Sequence, residues 1–188
     1  RIWNGTPNEF LIKCAELTRT GVGLPAYYND EVIIPALMSR GVTLADAREY
    51  GIIGCVEPQK PFKTDGWHDA AFFNMCRPLE LVFSNGVDKG AQISIKTGNV
   101  EDMTTFEEFY NAYKAQETYM IGLMVNAINA IDTAHSERVP LPFLSCMVED
   151  CVKEGKTVQE GGAHYNFTGP QGFGIANMAD GLWAVKTN

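Results

Sequence analysis

No run of this sequence approaches the ~18–20 consecutive apolar residues that a bilayer-spanning helix requires, and nowhere do Lys and Arg gather into a cluster. The first absence excludes a membrane-spanning helix as the organising element. The second, with a formal net charge of −8, argues against nucleic acid and anionic membrane as partners. Cysteine is sparse and unpaired in pattern: five residues, at 14, 55, 76, 146 and 151, odd in number and without close-spaced pairs. They build no disulfide framework and point to a reducing, cytosolic setting. Arg1-Ile2-Trp3-Asn4 has neither an initiator Met nor a signal-peptide layout, and the far end stops in the apolar Gly181-Leu182-Trp183-Ala184-Val185. Both ends read as cut, so the expectation is an internal fragment of a longer protein.

What is there is globular material. Hydrophobic residues make up 45% of the 188 and charged residues 20%, enough apolar mass for a sizeable core. Periodicity predicts a helix over 8–17, on Phe10, Leu11, Cys14 and Leu17. The breaker cluster Gly21-Val22-Gly23-Leu24-Pro25 follows, then a short buried strand over 26–30. Asp30 is the expected cap of a helix over 31–39, and Thr43 that of a helix over 44–50, with Asp46 completing a capping-box variant. Helical spacing continues over 67–83 until Asn85-Gly86 stops it, and 92–95 reads as a short strand. Thr105 caps the longest element, with an aromatic and Met stripe running to about 134; a further helix is expected over 143–152 and a glycine-rich loop over 161–174. The stripe reads as core rather than a cofactor box. With no internal repeat or linker, the expectation is one architectural unit.

Chemistry concentrates in Gly51-Ile52-Ile53-Gly54-Cys55-Val56-Glu57-Pro58. In extended backbone, residues i and i+2 point the same way, so the Cys55 sulfur and the Glu57 carboxylate are expected to face one substrate. The plain alternative is a small cysteine in a turn beside a surface glutamate. A thiolate nucleophile would need a histidine or a helix N-terminus nearby, and His68, thirteen residues on, could serve.

A second group is Gly66-Trp67-His68-Asp69, where adjacent His and Asp can bind a hydroxyl-bearing ligand or move a proton near neutral pH. Its alternative is a helix-capping Asp69 with a surface His68. The segment Gly161-Gly162-Ala163-His164-Tyr165-Asn166-Phe167-Thr168-Gly169-Pro170-Gln171-Gly172 lacks the order of either phosphate-binding motif and reads as a support. His135 at the end of the long helix meets the helix dipole. Cys146 and Cys151 have no matching pair at zinc spacing, so no metal site is expected.

At Gly54-Cys55-Val56-Glu57-Pro58-Gln59 the sequence resembles the glycyl radical enzymes of the pyruvate formate-lyase-like superfamily. Within it the resemblance is to the branch of B12-independent glycerol and propane-1,2-diol dehydratases and choline trimethylamine-lyase. It runs through Pro25-Ala26-Tyr27-Tyr28-Asn29-Asp30, Gly66-Trp67-His68-Asp69-Ala70-Ala71-Phe72-Phe73-Asn74 and Tyr165-Asn166-Phe167-Thr168-Gly169-Pro170-Gln171-Gly172. The resemblance implies an α/β fold: part of a ten-stranded β/α barrel with the Cys loop at its centre. Residues 1–188 would form a partial barrel domain, lacking the N-terminal half and the C-terminal segment whose Arg-Val-x-Gly-Tyr-like motif carries the radical glycine. Such a fragment alone is expected to be inactive.

The resemblance further implies that Cys55 gives up a hydrogen atom as a neutral thiol and then takes one from substrate carbon. Glu57 would act as base on the adjacent hydroxyl. Homolysis gains nothing from a lowered thiol pKa, so the lack of an electropositive run around Cys55 disfavours the nucleophile reading. His68 and Asp69 match the dehydratases' His-Asp, with Asp69 on a substrate hydroxyl. A choline enzyme is expected to carry threonine in place of His68 and tyrosine in place of Phe72, which here offers a π face without a hydroxyl.

Dehydration of glycerol or propane-1,2-diol to an aldehyde is thus the leading expectation, with C–N cleavage of choline as the alternative. A radical-less homologue with a scaffold role and a thiolate hydrolase are the readings from other classes. Implied partners are a radical S-adenosylmethionine activating enzyme and a second copy of the chain, a homodimer. No metal or organic cofactor is expected on this polypeptide, the glycyl radical lying outside it. The implied location is an anaerobic bacterial cytoplasm, with a protein-shelled microcompartment as one setting within it.

Overall fold

Eight α-helices and six short strands, with two single 3-10 turns at Val100–Asp102 and Val158–Glu160, follow one another along residues 1–187, the residues that the computed structural model describes. In chain order they are α1 (Asn8–Thr18), α2 (Asp30–Ser39), α3 (Leu44–Arg48), β1 (Gly51–Ile53), β2 (Glu57–Gln59), β3 (His68–Asn74), α4 (Cys76–Phe83), β4 (Val87–Asp88), β5 (Ala91–Gln92), α5 (Phe106–Arg138), α6 (Pro142–Ser145), α7 (Cys151–Glu154), β6 (Gly169–Phe173) and α8 (Ile175–Thr187). The content is mixed α/β. None of these helices is long and apolar enough to cross a membrane. The elements sort into two compact units, each assembled from two stretches of chain: Arg1–Gly66 with Leu141–Phe167, and Trp67–Pro140 with 168–187.

In the first unit, α1 follows Pro7 with no side-chain cap, whereas α2 is capped. The cap of α2 is Asn29, whose side chain accepts from the Glu31 amide, and not Asp30. Asn29 has the extended backbone of a cap, whereas Asp30 is already helical. The Asp30 carboxylate instead receives Arg1 at 2.7 and 2.8 Å and the Tyr50 hydroxyl at 2.7 Å. Thr43 caps α3 as expected, its hydroxyl accepting from the Asp46 amide, but Asp46 does not complete the capping box, because the Thr43 amide donates to Tyr165 Oη, and the helix ends at Arg48 rather than 50. The strand expected over 26–30 is absent; one parallel bridge, Ile2 to Asn29, stands in its place, and Tyr27 is exposed.

The helix expected over 143–152 is broken into α6 and α7. Asp150 takes a left-handed φ of +73°, and the Glu149 amide is drawn away to the Phe62 carbonyl at 2.7 Å. Leu37, Val42, Ala47, Tyr50 and Tyr165 form the main buried cluster of this unit. Under it lies a buried polar junction: the Asp46 carboxylate accepts from Tyr165 Oη at 2.6 Å and from Lys63 Nζ and Thr43 Oγ1 at 3.1 Å each.

The second unit contains the largest departure from expectation. The helix expected over 67–83 is a strand, β3, followed by the shorter helix α4. A short apolar run fits either period, and long-range pairing decides between them. Here β6, about a hundred residues downstream, pairs in parallel with β3, setting Phe72 opposite Gln171 and Phe73 opposite Gly172. From Ala71 to Asn74, past the slip in register, burial alternates, with Phe73 buried and Phe72 exposed. β6 itself lies inside the segment expected to be a loop. The strand expected over 92–95 is the shorter, earlier β5. Behind these strands, α5 begins on a complete capping box of Thr105 and Glu108 and runs four residues past the expected end. Its Phe109, Ala112 and Tyr113 pack with Leu79 and Val82 of α4, and α8 adds Met178, Leu182 and Val185.

Candidate active site

Cys55 and Glu57 share one hairpin in the first unit. β1 and β2 pair antiparallel, from Gly51 opposite Gln59 to Ile53 opposite Glu57, and residues 54–56 form the turn between them. Gly54 makes the turn with a left-handed φ of +60°, a conformation open to glycine at no steric cost. The glycine-flanked turn is as expected, but the two side chains do not face the same side. Cys55 stands exposed at the tip, while Glu57, 7% exposed, is folded beneath it. Glu57 Oε2 accepts from the Cys55 and Val56 amides, both at 2.8 Å. Two N–H groups aimed at one buried carboxylate oxygen offset the hydration that burial removes. From the opposite side, the Tyr28 hydroxyl donates to the Cys55 carbonyl at 2.7 Å.

His68, Asp69 and Phe72 all lie on β3 in the second unit. The register slips between His68 and Ala71, and inside that irregularity Asp69 takes a φ of +60°, a conformation that Asp tolerates better than most residues. Asp69 is therefore no helix cap. Its Oδ1 accepts from Gln171 Nε2 on β6. The His68 ring is half-buried, and its Nε2 is buried with no hydrogen-bond partner among the described residues. The Phe72 ring is 65% exposed. A buried ring nitrogen, a carboxylate braced from the neighbouring strand and an exposed aromatic ring thus follow one another along one strand. His135 lies in the last turn of α5, where the dipole reading put it, with its ring edge-on to Trp67 at 5.4 Å.

Sequence reasoning missed Tyr28 and Gln171 as neighbours of these groups, although both belong to the segments that carried the family resemblance. It also missed a cluster in the first unit, Glu149, Asp150 and His164, whose ligand-type atoms lie within 4.8 Å of one another. There His164 Nδ1 and Asp150 Oδ2 bond each other at 2.7 Å, which holds the Asp150 carboxyl below its ordinary range. Lys153 and Lys63 stand within 4.0 Å of Asp150 and Glu149 respectively. The acids are thus already matched by cations.

Comparison with known proteins draws these observations together. The pyruvate formate lyase-like family matches over residues 1–188. A solved structure addressing 1,2-propanediol dehydration in Roseburia inulinivorans is 67% identical, with a TM-score of 0.89 over 100% of this chain and 24% of its own. The glycerol-bound B12-independent glycerol dehydratase of Clostridium butyricum is 65% identical, with a TM-score of 0.89 over 99% of this chain and 24% of its own. A curated relative, the (2S)-3-sulfopropanediol dehydratase of Klebsiella oxytoca, is 39% identical over 99% of this chain and 23% of its length. The chain thus spans about a quarter of the length of the relatives it matches. Matched along its whole length, the chain belongs to the pyruvate formate lyase-like family.

Proposed function

We propose that this chain is the cysteine-bearing part of a glycyl radical dehydratase that converts a vicinal diol, glycerol or propane-1,2-diol, to an aldehyde. The observation that carries the reading is the hairpin tip, where a thiol stands exposed directly above a buried carboxylate bound to that thiol's own amide. Identities of 67% and 65% to proteins of propanediol and glycerol dehydration support the substrate class. In this reading the two units belong to a larger β/α barrel, and a radical S-adenosylmethionine activating enzyme and a second copy of the chain are the partners.

The glycyl radical, carried outside these residues, supplies one thing: removal of the hydrogen atom from Cys55 Sγ. Cys55 then takes the hydrogen from the substrate carbon that bears the first hydroxyl and is restored as a thiol. Glu57 accepts the proton of that hydroxyl, so negative charge builds on the radical carbon's oxygen and drives out the neighbouring hydroxyl. The departing group needs a proton, which the acid form of Glu57 or the His68 ring can donate, and leaves as water. Asp69, held by Gln171, orients a hydroxyl of the substrate. Cys55 finally returns its hydrogen atom to the carbon that lost the hydroxyl. The sum is diol to aldehyde plus water, with the sulfur left ready for another turnover.

The test is the full-length protein, activated anaerobically and offered glycerol, propane-1,2-diol and choline in separate assays. Aldehyde is expected from a diol, and Cys55→Ser should abolish turnover while leaving the glycyl radical signal intact. Trimethylamine from choline without aldehyde from either diol would move the reaction to C–N cleavage. Turnover by Cys55→Ser would end the thiyl reading.

A further inference from the structure

We infer that Tyr28 is a positioning residue for the reactive sulfur, holding the Cys55 turn through the Cys55 carbonyl; the inference rests on the radical dehydratase reading above. Pairing of β1 with β2 stops at Ile53 opposite Glu57, so Cys55 lies beyond the ladder. Its own main chain is tied by two side chains instead. The amide donates to Glu57 Oε2 at 2.8 Å, and the carbonyl accepts from Tyr28 Oη at 2.7 Å.

These two ties differ in kind. Glu57 changes charge during the proposed reaction, because it takes up the substrate proton. An amide bond to a carboxylate weakens when that carboxylate is neutralised. The tie from Glu57 is therefore loosest when Cys55 holds the hydrogen it must return. The bond from Tyr28 joins two neutral groups and does not vary with the proton. It is the constant anchor of the turn.

Tyr28 is well placed to anchor. Its carbonyl accepts from the Ile2 amide at 2.8 Å, and the Asp30 amide donates to the Ile2 carbonyl at 2.9 Å. Its ring packs against the buried cluster of Leu37, Val42, Ala47, Tyr50 and Tyr165. A hydroxyl on a ring fixed in this way connects the core of the unit to a turn that two strands of three residues support. Hydrogen-atom transfer demands close approach of the reacting atoms, and a displacement of about 1 Å can cost ~10²-fold in rate.

Tyr28→Phe in the full-length activated protein isolates the hydroxyl, since the ring keeps its packing and water can reach the carbonyl it leaves. The expected result is a fall in kcat of roughly 10- to 100-fold, with KM for the diol, the thermal midpoint and the glycyl radical signal unchanged. The primary deuterium isotope effect with diol labelled at the abstracted position should rise, because hydrogen transfer becomes slower relative to the other steps. A wild-type kcat would overturn the inference. So would a fall in kcat matched by loss of thermal stability or of radical, which would make Tyr28 merely structural. Cys55→Ser run alongside separates the two levels. Turnover by Cys55→Ser removes the underlying reading and this role with it, whereas an inactive Cys55→Ser beside a wild-type Tyr28→Phe removes only the role of Tyr28.

Discussion

Replacing Gly54 with alanine tests whether the hairpin tip is as tightly built as its geometry indicates. Two costs arise at once. The φ of +60° at Gly54 is disfavoured for an L-residue by about 1–2 kcal/mol. A Cβ there would also stand 2.9 Å from Glu57 Oε2, 3.5 Å from its Cδ and 3.6 Å from Oε1, so the carboxylate must move off the Cys55 and Val56 amides. Losing at least one hydrogen bond to a charged group costs about 1.5–3 kcal/mol. Together these reach about 2.5–5 kcal/mol against the native arrangement, roughly two to four orders of magnitude in its population. Turnover of the activated full-length protein should fall at least ~100-fold, while the radical signal is retained. Gly21→Ala is the control: its φ of +83° carries the same backbone strain, with nothing within 4 Å of the added Cβ. It should leave turnover unchanged. Near wild-type turnover in Gly54→Ala would refute the claim that the carboxylate's seat beneath the turn matters to the reaction.

Asp46 should make stability depend on acid. Its carboxyl is lowered from 3.8 to about 2, first by the Tyr165 hydroxyl and then by Lys63 and Thr43, against the opposing effect of burial. A depressed folded-state value means the carboxylate stabilises the fold above the unfolded value and that this contribution fades as pH falls from about 4 toward 2. Thermal midpoints measured across that interval should fall more steeply for wild type than for Asp46→Asn, and parallel curves would contradict the assignment. Gln171→Ala removes the donor that braces Asp69 across β3 and β6. KM for the diol should rise by about tenfold, the low end for a hydrogen bond to a charged group, with kcat affected less. An unchanged KM would argue that Asp69 does not orient the substrate.

Legibility in the sequence followed the range of the interactions involved. The caps of α3 and α5 were readable because Thr43 reaches three residues on to the Asp46 amide and Thr105 to Glu108. The cap of α2 was misplaced by one residue, since Asn29 and Asp30 both suit a helix start; Arg1 and Tyr50, distant in sequence, engage Asp30 and leave Asn29 to cap. Residues 67–83 failed for the same reason at larger scale. Phe72, Phe73, Cys76 and Leu79 suit a helix well enough, and only a partner strand about a hundred residues away makes the first part extended.

By itself the sequence determined the family and the segments in which the candidate residues stand. Gly54-Cys55-Val56-Glu57-Pro58 and Gly66-Trp67-His68-Asp69 are contiguous, and the family that the chain belongs to is written in them. It also determined the helices whose signals are local. Tertiary structure decided how those residues are presented. Sequence spacing suggested a thiol and a carboxylate facing the same side of a glycine-flanked turn; the turn is there, but the fold puts the thiol exposed at its tip and the carboxylate buried under it. The physical reason is that Glu57 finds its hydrogen bonds in the amides of the turn it follows, and Cys55 finds one at Tyr28, twenty-seven residues earlier. The turn closes because Gly54 permits it; its stiffness comes from partners that no local pattern announces.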